Sequence, residues 1–421
     1  MSALPSAASA WSGAVVPGGV TVDPLDGGLG VIPGLRAAAG AVGVRDSAHR
    51  DPAAPDVGIL DVGRPVPAAI VTTTNQVKAA PCLIGVEHVA SGPIRAVIVN
   101  SGNANACTGA QGLADARAMA SAVADALGVE NAAVVPMSTG VIGVPLPVER
   151  IVDGVPGIVA ELTDGPDAAA ALARAMMTTD TRPKQSAFRL TSGASGVRVA
   201  GVAKGAGMIE PAMATMLSVL VTDALLDAEE ARELLVDVVE RTFNRISVDS
   251  CGSTNDTVLL LATGTAGVVA SEMVAAGLEI VAADLAHRIV EDGEGVTRIA
   301  NLRVTGAPDV ATARGLGRAV AASALFRTAL HGSDPNWGRV LAAMGASEVA
   351  FDPSRVTVAF GPVVVCRDGG ATPYDHDAAV TVLREPEIAI AIDLGLGDAT
   401  ASTLVADLSA GYVQVNAEYT T

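Results

Sequence analysis

The chain has 421 residues, of which 50% are hydrophobic and 17% charged, and its net charge is −18. This length allows two or three domains or one large α/β body, and the acidic excess argues against a nucleic-acid partner, since phosphate binding needs a basic face. No uninterrupted apolar run reaches the roughly 18 residues of a membrane span, so we expect a protein that stays out of the membrane.

The N-terminal residues and the cysteines give an expectation about location. Residues 1–24 lack a basic stretch followed by an apolar one, so they do not resemble a secretory signal. Cys82, Cys107, Cys251 and Cys366 are widely spaced without a CxxC pair, which indicates buried thiols rather than disulfides or a zinc site. We therefore expect a cytoplasmic protein that uses no metal and no other cofactor.

Elements of both kinds alternate through the first half of the chain. Residues 1–32 are rich in Ala, Ser, Gly and Pro and predict a flexible N-terminal extension. Beyond them, Ser138–Gly140 predicts a tight turn, and Pro156 predicts a break or kink in its helix. The strands expected here are Arg95–Asn100, Ala132–Met137 and Val197–Ala203, and the helices are Leu113–Leu127, Glu149–Leu162 and Ala168–Met177.

The second half continues the alternation, and together the two halves predict a mixed α/β fold. Asp227 and Asp309 are placed to cap two of the helices. The strands expected are Met216–Thr222, Asp256–Ala262, Val356–Ala359, Val363–Val365 and Glu387–Ile392, and the helices are Asp227–Phe243, Glu272–Val290 and Val310–Leu325.

Four polar, glycine-rich segments lie between the apolar elements and are candidate site loops. Turn chemistry explains such composition equally well. The segments are Asn100–Gly109 (NSGNANACTG), Ser138–Gly143 (STGVIG), Lys204–Leu217 (KGAGMIEPAMATML) and Ser333–Arg339 (SDPNWGR).

Most familiar mechanisms have no motif in this chain. It contains neither a GxGxxG after a first strand nor a GxxxxGK[ST] loop, and it has no HExxH and no GxSxG elbow. Asp375-His376-Asp377 is a small cluster of possible metal ligands, but we interpret it as a solvated turn. Nucleotide and metal chemistry therefore have little support, although scattered histidines leave a Ser-His-Asp triad open.

Thr215 lies between a glycine-rich loop and an apolar strand. If the Ala214–Thr215 bond were cut, the new α-amine would titrate near ~7.7–8.0 and could take the proton of the hydroxyl. Gly205 and Gly207 would permit the strained backbone that self-cleavage requires. A threonine that opens a strand is usually only a strand residue, so chemistry alone leaves both interpretations open.

These segments together resemble the ornithine acetyltransferase family, which supplies the glutamate N-acetyltransferase of arginine biosynthesis. The resemblance runs from about Pro33 to Thr421. Beside the four segments, it rests on Gly34–Arg45, TTTNQVKAAP at Thr72–Pro81, MTTDTRPK at Met177–Lys184, DGEG at Asp292–Gly295 and NAEYTT at Asn416–Thr421.

The resemblance implies a mechanism. The precursor would cleave itself between Ala214 and Thr215 into an α chain, residues 33–214, and a β chain, residues 215–421. Thr215 would take the acetyl group of N2-acetylornithine as an ester and pass it to glutamate. Thr139 and Gly140 match the oxyanion-hole pair, where one lost donor typically costs ~3–4 kcal/mol of barrier.

Further implications concern binding, fold and assembly. The residues that match substrate-binding positions are Thr178, Lys204, Thr215, Glu294, Asn416 and Thr421. We expect Lys204 to pair with a substrate carboxylate and Glu294 to hold the ornithine ammonium. The fold implied is an Ntn-type α/β/β/α sandwich shared with DmpA-type aminopeptidases, and the assembly is a heterotetramer of two α and two β chains.

Two positions depart from the family pattern and leave the exact reaction open. Cys251-Gly252 stands where the family has Asp-Thr, and Glu210 replaces a small residue, so donor or acceptor could differ as in a specialised-metabolism paralogue. Acetyl-CoA as a second donor is also open, although we expect the recycling reaction. An amidase or aminopeptidase of the DmpA type and a non-enzymatic paralogue are also compatible with the sequence.

Overall fold

The computed structural model describes residues 11–45, 51, 53–210 and 216–418. The strands are β1 (Thr21–Pro24), β2 (Arg36–Gly40), β3 (Val57–Val66), β4 (Ala68–Thr72), β5 (Ile94–Asn103), β6 (Val134–Val141), β7 (Lys184–Ser192), β8 (Ser195–Lys204), β9 (Leu217–Ala224), β10 (Ile246–Ser247), β11 (Thr257–Gly267), β12 (Ile299–Ala307), β13 (Thr357–Phe360), β14 (Val363–Arg367), β15 (Gly370–Ala371), β16 (Glu387–Asp393) and β17 (Ala399–Ala406). The helices are α1 (Ala80–Ser91), α2 (Gly109–Leu127), α3 (Val148–Ala160), α4 (Pro166–Met176), α5 (Ala228–Arg241), α6 (Ser271–Glu291), α7 (Val310–Ala321), α8 (Ala324–His331), α9 (Trp337–Gly345), α10 (His376–Leu383) and α11 (Ala410–Glu418).

The strands form three sheets. One sheet has six strands in the order β1-β7-β8-β9-β11-β4, a second has four in the order β2-β3-β5-β6, and a third has seven in the order β10-β17-β12-β16-β13-β14-β15. In the six-stranded sheet β9 lies antiparallel to β8 and parallel to β11. The four-stranded sheet places β6 parallel to β5.

The first two sheets stack face to face between helices. Along β11, Leu259 and Leu261 belong to the core between the sheets, whereas Val258 and Leu260 belong to the core under α5 and α6. The side chains of the four-stranded sheet likewise alternate between two cores, and α2 and α3 cover the outer face of this sheet. Strands buried on both faces read as continuous apolar runs, which is why these segments show no alternation. The layer order is α/β/β/α, and that prediction is confirmed.

The third sheet has its own core with α7, α8, α9 and α10. It joins the sandwich through β10, which pairs parallel with β17, and through Ile299 and Leu404, which belong to the core under α6. One end of β12 and β17 therefore packs on the sandwich, and the other end leads away from it.

Every predicted strand and helix has a counterpart, with three local corrections. Ser138–Gly140 is not a turn, because β6 continues to Val141 and keeps its pairing with β5. Helix α3 runs through Pro156 without ending there. Val310–Leu325 is two helices, because Ser323 interrupts the first and its hydroxyl accepts the Phe326 N–H to cap the second.

Side-chain caps follow the predicted pattern at two helix starts, and a third cap was not predicted. Asp227 caps α5 in a reciprocal capping box with Glu230, and Asp309 caps α7 by accepting the Thr312 N–H. Asp375 caps α10, so the Asp375-His376-Asp377 cluster is a helix start rather than a turn. The carboxylate of Asp375 is thereby used by the backbone.

The predicted flexible extension is wrong for residues 11–32. Strand β1 pairs antiparallel with β7, from Thr21 opposite Thr191 to Pro24 opposite Phe188. Trp11 is buried, and its indole donates to the Ala283 carbonyl at 3.1 Å. A few well-placed side chains anchor this segment despite its Gly- and Ala-rich composition; residues 1–10 lie outside the described part.

The cysteine prediction holds for two of the four thiols. Cys82 and Cys366 are buried, whereas Cys107 and Cys251 are exposed because they lie in loops between elements, and all four are free. None of the described helices combines the length and apolar content needed to cross a bilayer.

Candidate active site

A solvent-open cleft of about 610 Å³ lies where β6 and β8 end. Six predicted site residues line it: Thr139, Gly140, Thr178, Lys204, Glu294 and Asn416. They come from both halves of the sequence, so only the tertiary fold brings them together. The predicted residues Ala214, Thr215 and Thr421 lie outside the described residues.

Strand β6 carries Thr139 and Gly140 to the cleft beside the end of β5. Gly140 has a φ of 134°, and a Cβ there would lie 2.3 Å from the Gly102 carbonyl carbon and 2.5 Å from the Asn103 nitrogen. Any larger residue would separate β6 from β5. The glycine thus lets β6 run close to β5 where Thr139 and Gly140 line the cleft.

Lys204, the last residue of β8, organises this wall from behind. Its side chain is buried, and its Nζ donates to Thr178 Oγ1 at 2.7 Å and to Thr139 Oγ1 at 3.2 Å. A hydroxyl oxygen that accepts from an ammonium has its own proton free to donate elsewhere. Thr139 is therefore polarised by Lys204 and able to donate toward the cleft, as an oxyanion hole requires.

A buried ionic network stands behind Lys204. Lys184 Nζ donates to Asp180 Oδ1 at 2.7 Å and to Asp292 Oδ2 at 2.5 Å, and Asp180 lies 3.9 Å from Lys204. Asp180 also accepts the N–H groups of Gly205 and Thr178 at 2.7 and 2.9 Å. The network fixes the Lys204 ammonium and also the backbone at Gly205 and Thr178.

Burial and charge act against each other on these groups. Burial tends to raise the pKa of Asp180, but Lys204, Lys184 and the hydrogen bonds outweigh it and hold that pKa far below its ordinary value. For Lys204, burial lowers the pKa against the opposing attraction of Asp180. Asp180 thus stays ionised, whereas Lys204 loses its proton more readily than an ordinary lysine does.

Glu294 and Asn416 also line the cleft. Asn416, on α11, donates to Glu294 Oε2 at 2.8 Å. A Cβ on Gly207 would lie 2.5 Å from the Glu294 carboxyl carbon, so this glycine makes room for the carboxylate. Gly205 has a φ of 154°, while Gly207 has no positive φ among the described backbone angles, and its role is space rather than strain.

Two further carboxyls hold the chain on either side of residues 211–215. Asp249 accepts the N–H groups of Met208 and Ile209 upstream, and Asp256 accepts the Met216 N–H at 3.0 Å downstream. Asp256 Oδ2 is buried without a hydrogen-bond partner among the described residues. Burial raises the pKa of Asp256 well above its ordinary value.

Three of the four candidate segments converge on this cleft. Asn255, in the STND sequence, donates to the carbonyls of Ala104 and Ser138 at 2.6 and 2.8 Å and so ties the first two segments together. The fourth, Ser333–Arg339, lies outside the described lining. Its Asn336 caps α9, which is the turn-and-cap role that composition also allowed.

The atypical positions adjoin the cleft without lining it. Cys251 and Gly252 are exposed, just before the lining residues Ser253 and Thr254. Glu210 is buried, accepts the Ser247 hydroxyl at 2.8 Å and lies 3.4 Å from Arg318. The shift in specificity expected from these positions has no direct contact with the described lining to support it.

Sequence reasoning missed the supporting carboxyls and Lys184. Charged residues are usually assigned to the surface, yet Lys184 is only 1% exposed. The MTTDTRPK and DGEG segments held a signal, since they bring Asp180, Lys184 and Asp292 into the resemblance. Asp256 was included only as the start of a strand.

A hydroxyl that accepts from a buried ammonium at the wall of an open cleft is compatible with a site for acyl transfer. The family model described as the ArgJ family matches residues 36–421, and the chain belongs to that family. This confirms the resemblance seen in the motifs.

Curated relatives share most of their length with this chain. It is 45% identical over 373 residues to the arginine biosynthesis bifunctional protein ArgJ of Symbiobacterium thermophilum, covering 87% of this chain and 92% of that protein. The Thermus thermophilus protein of the same name is 44% identical over 389 residues, with 92% and 98% covered. A solved ornithine acetyltransferase from Mycobacterium tuberculosis, complexed with ornithine, is 38% identical over 45% of this chain and 98% of that chain, with a TM-score of 0.41.

Proposed function

We propose that the protein is a glutamate N-acetyltransferase that moves the acetyl group of N2-acetylornithine to glutamate after cutting itself between Ala214 and Thr215. The observation that carries the proposal is the Lys204 ammonium behind the Thr139 hydroxyl, beside Gly140. The names of the curated relatives place them in arginine biosynthesis, which supports this choice of substrates.

In this mechanism Thr215 supplies both nucleophile and base. The new α-amine takes the hydroxyl proton, Oγ1 attacks the acetyl carbonyl, and ornithine leaves with a proton on its amine. Thr215 directly precedes Met216 in the sequence, and the Met216 N–H donates to Asp256 at 3.0 Å.

Charge develops on the acetyl oxygen in both half-reactions. The Thr139 hydroxyl and the Gly140 amide would stabilise it, and Lys204 would strengthen the hydroxyl as a donor. Since the donors are held before substrate arrives, little reorganisation accompanies the reaction.

The substrates carry both ammonium and carboxylate groups, and the cleft is lined by both a cation, Lys204, and an anion, Glu294. We assign the ornithine ammonium to Glu294, with Asn416 holding that carboxylate, and a substrate carboxylate to Lys204 with Thr178 and Thr421. A Glu294→Gln chain that kept full affinity for N-acetylornithine would contradict the first assignment.

The test combines intact mass with a transfer assay. The wild type should give two chains under denaturing conditions, with the second beginning at Thr215, and a mass gain of one acetyl group on that chain after mixing with N-acetylornithine alone. The Thr215→Ala chain should stay whole and inactive. A wild type that remains one chain would refute the nucleophile.

Two further readouts distinguish transfer from hydrolysis and identify the donor. Acetate in excess over N-acetylglutamate would indicate a hydrolase rather than a transferase. Acetylation of the second chain by acetyl-CoA would add the second donor that the word bifunctional in the relatives' names suggests. Native mass spectrometry of the cleaved protein tests the heterotetramer.

A further inference from the structure

A second cleft, of about 1050 Å³, lies between the sandwich and the third sheet. Its walls are the C-terminal part of α5, the middle of α6 at Glu279, the central part of β12, the starts of β17 and α7, and the segment Trp11–Gly13. It shares no described lining residue with the first cleft.

The side-chain pattern of β12 and β17 opens this cleft. Ile299 and Leu404 are buried against the core under α6. Two residues further along β12 the same face carries Asn301, and then Arg303, which lies opposite Ser402 of β17. The face thus changes from apolar to polar where the sheet leaves the sandwich.

Four arginines line the cleft, and two of them have carboxylate partners. Arg241 lies 3.0 Å from Asp237 and 3.6 Å from Glu279. Arg314 lies 2.9 Å from Glu240. These pairs are local and partly exposed, and they neutralise only their own members.

The other two, Arg245 and Arg303, have no carboxylate within 4.0 Å among the described residues. Arg245 is partly buried, and its Nε donates only to the Glu240 carbonyl at 3.1 Å. Arg314 Nε, a further donor in the lining, is buried without a described partner, as is one acceptor, Asn301 Oδ1. The described lining therefore offers guanidinium donors that lack carboxylate partners, beside one unused acceptor.

Burial and neighbouring charges both affect the Arg245 guanidinium. Burial, with Arg314 and Arg241 nearby, lowers the pKa of Arg245 to about 10. Glu279 and Glu240 oppose this shift by their charge, although neither forms an ion pair with Arg245 within 4.0 Å. A guanidinium in this setting is costly unless an anion pairs with it.

We propose that this arginine cleft is a binding site for a small oxyanion with two negative charges, phosphate or dicarboxylate, held mainly by Arg245 and Arg303. Guanidinium groups bind such oxyanions through paired N–H donors. The site is separate from the first cleft, and the proposal does not depend on the function of that cleft.

Calorimetric titration of the full protein tests the site. Inorganic phosphate and succinate are titrated separately at constant ionic strength, and saturable one-to-one binding of at least one is expected. An Arg245→Gln/Arg303→Gln chain should bind at least about tenfold more weakly. Arg384→Gln, which removes an exposed arginine after α10, serves as the charge control and should bind as the wild type does.

Two results would overturn the proposal. One is the absence of saturable binding of either anion below about 10 mM. The other is unchanged affinity in the double variant, with melting curves showing that it is folded. Loss of binding in Lys204→Met but not in the double variant would place the anion in the first cleft, and that result also contradicts the proposal.

Discussion

The two clefts differ in how the cationic side chains that line them are paired with carboxylates. In the first cleft Lys184 and Lys204 are enclosed by Asp180 and Asp292, and each ammonium has a described carboxylate partner. In the arginine cleft the Arg245 guanidinium has, among the described residues, only the Glu240 carbonyl as a hydrogen-bond acceptor. The buried ammonium groups of the first cleft are paired with carboxylates before any substrate arrives, whereas Arg245 and Arg303 have no carboxylate within 4.0 Å among the described residues. Such preformed pairing suits catalysis, since the groups need not rearrange during the reaction.

The largest expected effect on this contrast comes from breaking the first network. Lys184→Met leaves Asp180 and Asp292 buried with reduced compensation and should lower the unfolding free energy by about 3–5 kcal/mol. Urea unfolding in the Thr215→Ala background measures it. Lys78→Met, at an exposed lysine, is the control and should stay within about 0.5 kcal/mol. If Lys184→Met lowered the unfolding free energy no more than Lys78→Met does, the ion-pair network would contribute nothing to stability.

Removing the polarised hydroxyl tests the same wall through activity. Thr139→Val should lower kcat by about 10²–10³-fold with a much smaller change in KM, because the hydroxyl acts on charge that exists only in the transition state. The exposed threonine in Thr265→Val supplies the control. A loss confined to KM would assign Thr139 to substrate binding instead.

A pH series tests the buried carboxyl beside Met216. The folded-state pKa of Asp256 is raised, so the native state keeps a proton that the unfolded chain loses above about pH 4. Stability contributed by Asp256 is therefore greatest at low pH and falls as pH rises toward the raised value. Asp256→Asn should remove that part of the fall, at about 1.4 kcal/mol per pKa unit.

The comparison uses urea midpoints of both chains from pH 4.5 to 8. Glu210, Asp223 and Asp249 also have raised pKa values, but they titrate in both chains and cancel in the difference. Parallel curves for the wild type and Asp256→Asn would show that this carboxyl does not hold its proton.

The smallest effect is expected in the arginine cleft. Arg245→Gln, without added anion, should leave the unfolding free energy within about 0.5 kcal/mol of the wild type or slightly above it. The reason is that an unpaired guanidinium in a desolvated setting contributes little to stability. A loss comparable to that of Lys184→Met would remove the contrast between the clefts.

The sequence predicts the individual strands and helices better than the way they pair, and the α/β/β/α layering was implied by the family resemblance. Apolar runs such as Asp256–Ala262 locate central strands, because residues covered on both faces must all be apolar. Ser138–Gly140 was misassigned because its composition is that of a turn, while pairing with β5 keeps it extended. Local chemistry does not show which strand lies alongside.

The candidate site shows the same division. Motifs identified Thr139, Lys204 and Glu294, and the fold places all three in one cleft. The contact between Lys184 and Asp292 joins residues 108 positions apart and had no local signal. Long-range ion pairs of this kind need the tertiary structure before they can be seen.

The position of β9 has a consequence for a chain cut just before it. In the six-stranded sheet the strands on both sides of the cut alternate: β8 precedes it, β9 and β11 follow it, and β4 precedes it again. Strands of the two fragments would thus be neighbours in one sheet, and the fragments could separate only if that sheet unfolded. We expect separately produced fragments to need co-folding to complement each other, and mixing them after each has collapsed alone should recover little protein.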